Sequence, residues 1–176
     1  RDIVNAISDK LEATILGSAA GSATMPAGIF NGVTPETKDI TYKRLVDMET
    51  ALEEANVAGN KCFIVSPSAK GILKTTAKDA LYNVTDGGVH TCVGCAGCLM
   101  EENEVNGYPV YCTSNVTSKG VVMGHFEDFV IGQWGGIDLT VDPYTQAANG
   151  KVRLVINAYF DAKPRRTGSF QKAILK

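Results

Sequence analysis

GHFEDFVIGQWGGIDLTVDPY, residues 124–144, decides the fold class. It holds two runs rich in β-branched and aromatic residues, DFVIGQW and IDLTVDP, parted by Gly135-Gly136 and closed by Pro143, the composition of strands bounded by turns. The same pattern continues on both sides. VVMGHF precedes it, and KVRLVINAYFDAKP at 151–164 follows a second turn signal, Asn149-Gly150. Further upstream, Tyr108-Pro109-Val110-Tyr111 is a β-rich stretch introduced by Asn106-Gly107, a strong hairpin signal. The last third of the chain therefore reads as a β-meander.

The first half reads differently. Within residues 2–16, Ile3, Val4, Ile7, Leu11 and Ile15 recur at helical spacing, with Asp2 placed as an N-cap and Gly17 as a stop. Residues 18–37 are small, polar and broken by Pro26, Pro35 and several glycines, which predicts a long loop with at most a short strand around Gly28-Ile29-Phe30. A second helix is expected near residues 41–56, where Tyr42, Leu45, Met48, Leu52 and Ala55 share one face. KCFIVSP, residues 61–67, reads as a buried strand followed by a helix capped by Ser66 or Ser68. The expected fold class is α+β, with two or three helices packed on a mostly antiparallel sheet and no internal repeat.

Composition narrows the function classes. A chain of 176 residues, 44% hydrophobic and 20% charged, has room for one compact domain or two small lobes. Seventeen basic against nineteen acidic residues leave a formal charge of −2, without the electrostatic footprint of a nucleic-acid or membrane binder, so partners are expected to be protein. No apolar run approaches the ~20 residues of a membrane span, and no signal peptide opens the sequence. The five cysteines, three of them crowded together, fit a reducing interior better than a disulfide framework. Because Arg1-Asp2 leads straight into a helical pattern, the chain is expected to be a processed piece of something longer.

The one segment that looks like a chemical motif is HTCVGCAGCLMEE, residues 90–102. Cys92, Cys95 and Cys98 have the two-residue gaps that let successive thiolates turn toward one metal, as in the opening of a bacterial-type ferredoxin run. The place of the fourth cysteine in such a run is taken by Glu102, so a fourth ligand has to come from His90, Cys112 or Cys62. Structural zinc knuckles use two separated ligand pairs, whereas this is one run, so free thiols or crosslinking sites are the preferred reading and no cofactor is expected. His125 is expected to be a packed or edge residue, and the acidic groups 101–104 and 127–128 to be solvated. Lys163-Pro164-Arg165-Arg166 is a small basic patch suited to acidic groups on a neighbouring subunit. With no nucleophile elbow, phosphate loop or dinucleotide fingerprint, the sequence does not read as an enzyme.

Taken in order, Gly107-Tyr108-Pro109-Val110, Ser114-Asn115-Val116, residues 124–132, residues 137–144, the strand from Val152 and the closing Phe170-Gln171-Lys172-Ala173 resemble the C-terminal portion of tailed-bacteriophage major capsid proteins. Pro26-Ala27-Gly28-Ile29 after the first helix, and the step from Phe63 to Ser68, are similar to earlier parts of the same family. The resemblance implies a Hong Kong 97-like fold lacking the N-terminal arm and extended loop. It assigns residues 1–24 to the end of a spine helix in a peripheral domain, 25–144 to an axial domain and 145–176 to return strands of the peripheral domain. The implied function is a structural subunit that self-assembles into hexamers and pentamers of an icosahedral phage or prophage shell enclosing DNA. An encapsulin-like compartment shell, or a small metal or iron-sulfur protein using Cys92, Cys95 and Cys98, are the alternatives. Implied partners are copies of the chain, then portal, scaffold and maturation protease, with packaged DNA contacted only non-specifically and no membrane. The implied location is the virion capsid after synthesis in the bacterial host cytoplasm. No catalytic residue is carried over.

Overall fold

The computed structural model describes residues 2–78, 85–86, 89–90 and 97–176. Along the chain run α1 (Asp2–Ile15), α2 (Tyr42–Glu54), β1 (Cys62–Val65), α3 (Pro67–Thr75), β2 (Thr85–Asp86), β3 (Val89–His90), β4 (Glu104–Val105), β5 (Tyr108–Cys112), β6 (Gly120–Gly124), β7 (Phe129–Asp142), β8 (Arg153–Pro164) and β9 (Phe170–Ile174). Local signals account for several boundaries. Thr41 caps α2 and Ser66 caps α3, each accepting a backbone N–H three residues on, and Pro67 sits where its missing N–H costs nothing. Asn106 and Gly107 both adopt positive φ and form the two-residue turn that sets Val105 opposite Tyr108.

A five-stranded sheet in the order β4-β5-β1-β6-β9 forms the centre of the molecule. Only the β1–β5 pairing is parallel, Phe63 facing Val110, and the other pairings are antiparallel. Helices α2 and α3 cover one face, where Leu45, Met48, Leu52 and Leu73 join Phe63, Val65, Val121 and Met123 in one apolar cluster. The opposite face carries Val122 and Phe170, packed with Ile15 and Leu16 of α1 and with Ile29 and Phe30 of the following loop. Alternate residues of β6 thus serve different layers, so all five are buried.

Two expectations change. Gly135-Gly136 does not separate two strands. β7 runs through it, with Trp134 opposite Tyr159 and Asp138 opposite Asn157, so Gly135, Gly136 and Ile137 stand against Ala158 alone. This is a bulge, and Gly135 takes the positive φ that it requires. Nor is the last third one meander: β6 and β9 pair within the central sheet, while β7 and β8 leave it as a separate two-stranded ribbon. Residues 143–152 connect the paired β7 and β8, and β9 pairs with β6.

Residues 18–37 form the expected long loop, without a strand at Gly28-Ile29-Phe30, and the loop folds back on the end of α1. Ile29 N–H donates to the Ile15 carbonyl at 2.7 Å and Phe30 N–H to the Gly17 carbonyl at 3.0 Å. Lys172 Nζ donates to the Ile29 carbonyl at 2.7 Å from the other side. A Cβ on Gly28 would stand 2.2 Å from the Gly17 carbonyl oxygen, and backbone cannot swing aside as a side chain can. Gly28→Ala is therefore expected to cost about 1–3 kcal/mol by forcing the loop and its buried Phe30 off α1, read as a lower urea midpoint at unchanged slope.

Candidate assembly surface

The β7–β8 ribbon carries the largest exposed apolar surface among the described residues. Side chains alternate between its two faces, and directly paired residues share a face. One face holds Leu139 beside Ile156, Val141 beside Leu154, and Ile131 beside Ala162. The other holds Trp134 beside Tyr159, Asp138 beside Asn157, Asp142 beside Arg153 and Val130 beside Lys163. The first is nearly all apolar and the second mixed.

Helix α1 covers only part of the apolar face. Near the base of the ribbon, Leu11, Ile15, Phe129 and Ile131 line a cleft of about 370 Å³. A second cleft, of about 680 Å³, separates Ile7 and Leu11 from Leu154, Ile156 and Phe160. Beyond α1 the face is bare: Leu139 and Val141 are each 56% exposed, and Ile137, Val152 and Leu154 are comparably open. Fully burying one Leu or Val side chain stabilises by about 1.5–3 kcal/mol, so a contiguous set of this kind marks a contact surface rather than scattered surface chemistry. On the mixed face Trp134 is 60% exposed and its ring lies across Gly132, where a Cβ would come within 2.8 Å of it.

The residues singled out by sequence fall elsewhere. Cys92 and Cys95 lie outside the described residues, and only the backbone of His90, in β3, is described. Cys98 bridges Ala77 beyond the C-terminal end of α3. Cys112 faces Val65 just before the N-terminal end of that helix, a nine-residue element about 13 Å long. Cys62 begins β1 opposite Gly124, and burial pushes its thiol above the usual range, away from the thiolate that binds metals. Among the described residues no three potential metal ligands converge.

His125 is packed, as expected. Its Nδ1 lies 2.9 Å from the Asn60 carbonyl, its Nε2 lies 3.6 Å from Glu127, and its ring fills the space over Gly59. Of the acidic pair beside it, Glu127 is exposed, but Asp128 accepts a 2.5 Å hydrogen bond from Ser169 Oγ and ties β9 to the start of the ribbon. Glu101, Glu102 and Glu104 are exposed, and Glu101 approaches Lys78 at 3.8 Å. Lys163, Arg165 and Arg166 are exposed and make no ion pair among the described residues. Sequence reasoning did not single out the bare ribbon face, although Ile137, Leu139 and Val141, then Leu154 and Ile156, carry its period-two signal.

The profile of the phage capsid family matches residues 1–174. The major capsid protein of Halomonas phage phiHAP-1 is 31% identical over 133 residues, which cover 75% of this chain and 20% of that protein. Among solved structures, the capsid of an empty GTA particle superposes with a TM-score of 0.62 at 17% identity, covering 99% of this chain and 64% of that one. A chain of Gordonia phage Cozz gives 0.62 at 16% identity, covering 99% and 61%. The chain thus spans a fifth of the curated relative and under two thirds of these solved chains. The shared architecture is the Hong Kong 97-like fold.

Proposed function

Because the chain belongs to the phage capsid family, we propose that it is the shell-forming part of a major capsid protein, assembling with copies of itself into hexamers and pentamers of an icosahedral shell that encloses DNA. The carrying observation is a family match over nearly the whole chain joined to a ribbon whose apolar face the chain itself leaves bare. Kinship with a phage protein favours this reading over a compartment shell of the same fold. Copies of the chain are the principal partners, portal, scaffold and maturation protease transient ones, and synthesis takes place in the host cytoplasm. The full-length protein is expected to form particles visible by negative-stain microscopy, and a species that stays monomeric by light scattering under assembly conditions would overturn the proposal.

Within the shell, the central sheet with α2 and α3 forms the axial part, and α1 with the β7–β8 ribbon forms the peripheral part. Strand pairing supports moving the proposed boundary from residue 144 to the start of β7. The segment holding Cys92, Cys95 and Cys98 then belongs to the axial part, as thiols and not as a metal centre. Protein purified anaerobically is expected to be colourless and free of stoichiometric zinc or iron by elemental analysis. Stoichiometric metal that disappears in Cys95→Ser would reverse that assignment.

A further inference from the structure

Three asparagines stand directly before a glycine, in Asn31-Gly32, Asn106-Gly107 and Asn149-Gly150. The pair has a chemistry of its own. The glycine amide nitrogen, unhindered by a Cβ, attacks the asparagine side-chain Cγ across a short intramolecular reach. The N–Cγ bond forms and the Cγ–Nδ2 bond breaks, ammonia leaving with the proton of the attacking amide. Water then opens the cyclic imide at either carbonyl, giving aspartate or isoaspartate. In sequence the three sites are equivalent, because the attacking residue is the same. The fold separates them.

Two of the three are restrained. At the third pair the attacking group, Gly150 N–H, donates to the Ala147 carbonyl at 3.0 Å, and the leaving group, Asn149 Nδ2, donates to Gln146 Oε1 at 3.2 Å. Both bonds must open before the ring closes. At the second, Asn106 Nδ2 donates to Glu49 Oε2 at 3.3 Å and its Oδ1 is buried. The strands on either side clamp that turn by pairing Val105 with Tyr108, whose hydroxyl donates to the same carboxylate at 3.0 Å. Helix α2 thus holds the amide that would have to leave.

Asn31 lacks both kinds of restraint. Val33 N–H donates to the Phe30 carbonyl at 3.1 Å, which makes Asn31 and Gly32 the central pair of a turn, with Gly32 at a φ of 72°. This is the type II arrangement. Among the described residues neither the Asn31 carbonyl nor Gly32 N–H is in a backbone hydrogen bond, and both residues are exposed. Swinging their shared peptide unit toward the side chain therefore breaks no bond of its own, and glycine accepts the new φ. Space is present too, since a Cβ on Gly32 would meet nothing within 4 Å.

We propose that Asn31 is a self-modifying site, converted by Gly32 and water into aspartate and isoaspartate ahead of the other two pairs. The reaction goes beyond the shell reading and needs only this chain and water. Its product meets complementary charge: Asn31 lines a cleft of about 340 Å³ with Lys163, Lys172 and Asp161, so the new carboxylate joins two ammonium groups and one carboxylate. Isoaspartate also lengthens the backbone beside the buried Phe30, which packs the loop on α1.

Peptide mapping by mass spectrometry, on full-length folded protein held at mildly alkaline pH, reads the three rates together. Position 31 is expected to lose its amide roughly tenfold or more faster than positions 106 and 149, the worth of one hydrogen bond kept at each slower site. In guanidinium chloride, where no fold restrains them, the rates are expected to converge. A preference that persists there unchanged would trace the effect to sequence and overturn the structural account. Isoaspartate at position 31, detected with an isoaspartyl methyltransferase, is expected from the cyclic route, whereas aspartate alone would mean direct hydrolysis and overturn the role of Gly32. Asn31→Gln, whose longer side chain disfavours the ring, is expected to keep its amide. Folded protein that retains Asn31 while Asn106 or Asn149 reacts, or in which all three react alike, would overturn the proposal.

Discussion

Phe63→Ala is expected to remove about 3–5 kcal/mol of folding stability, a large part of the roughly 5–15 kcal/mol that holds a domain together. Phe63 is fully buried in β1, between the parallel partner β5 and the antiparallel partner β6. Its ring meets Tyr108 edge-on with centroids 6.5 Å apart, and it belongs to the cluster that holds α2 and α3 on the sheet. Truncation removes the aromatic contact and leaves a cavity between two layers that are themselves braced by other strands, so collapse around it is limited. Urea titration followed by circular dichroism measures the effect. Tyr111→Ala, at a side chain 60% exposed on β5, is the control and should shift stability by no more than about 0.5 kcal/mol. A Phe63 variant as mild as that control would mean that the layers do not meet as described.

Leu139→Asp with Val141→Asp is expected to abolish particle formation while leaving the thermal midpoint of the isolated chain unchanged. Both side chains are more than half exposed on the bare face of the ribbon, so the fold loses little when they become polar. Assembly loses much more. If each is buried in the shell, about 1.5–3 kcal/mol per side chain disappears, and a carboxylate is left to be desolvated. At about 1.4 kcal/mol per factor of ten, the concentration needed for assembly rises by about a hundredfold or more. Light scattering against protein concentration reads this directly. Wild-type particle yield from the double variant would remove the ribbon face from the list of contacts.

The local elements are the legible part. Leu45, Met48 and Leu52 announce α2 by spacing, and Ser66-Pro67 announces the step from β1 into α3, because caps and helical periodicity act within a few residues. The place of β1 in the middle of the sheet, with β5 beside it in parallel, depends on pairings across some fifty positions that no local pattern encodes. Gly135-Gly136 misleads for a related reason: paired glycines suit a turn and a bulge equally, and only the partner strand continuing past them decides. Asp128 reads as surface charge because its acceptor role requires Ser169, far along the chain. The candidate surface is hidden in another way. Alternating apolar residues show that a face exists, but not that the chain fails to cover it. For the cysteines the spacing is plain, yet Cys98 and Cys112 end up at opposite ends of α3.

The bulge in β7 also governs which changes in length the ribbon tolerates. Three residues stand where β8 supplies one, an excess of two, which is one full period of a strand. The odd-numbered residues of β7 consequently keep to the α1 side before and after the irregularity. Losing Gly135 and Gly136 together would straighten the ribbon and leave every side chain facing as it does now. Losing either one alone would leave two residues opposite Ala158, an ordinary bulge, and Leu139 and Val141 would keep their partners on β8 and their face. Losses of one or two residues at this point are thus absorbed by the bulge before they reach the apolar face.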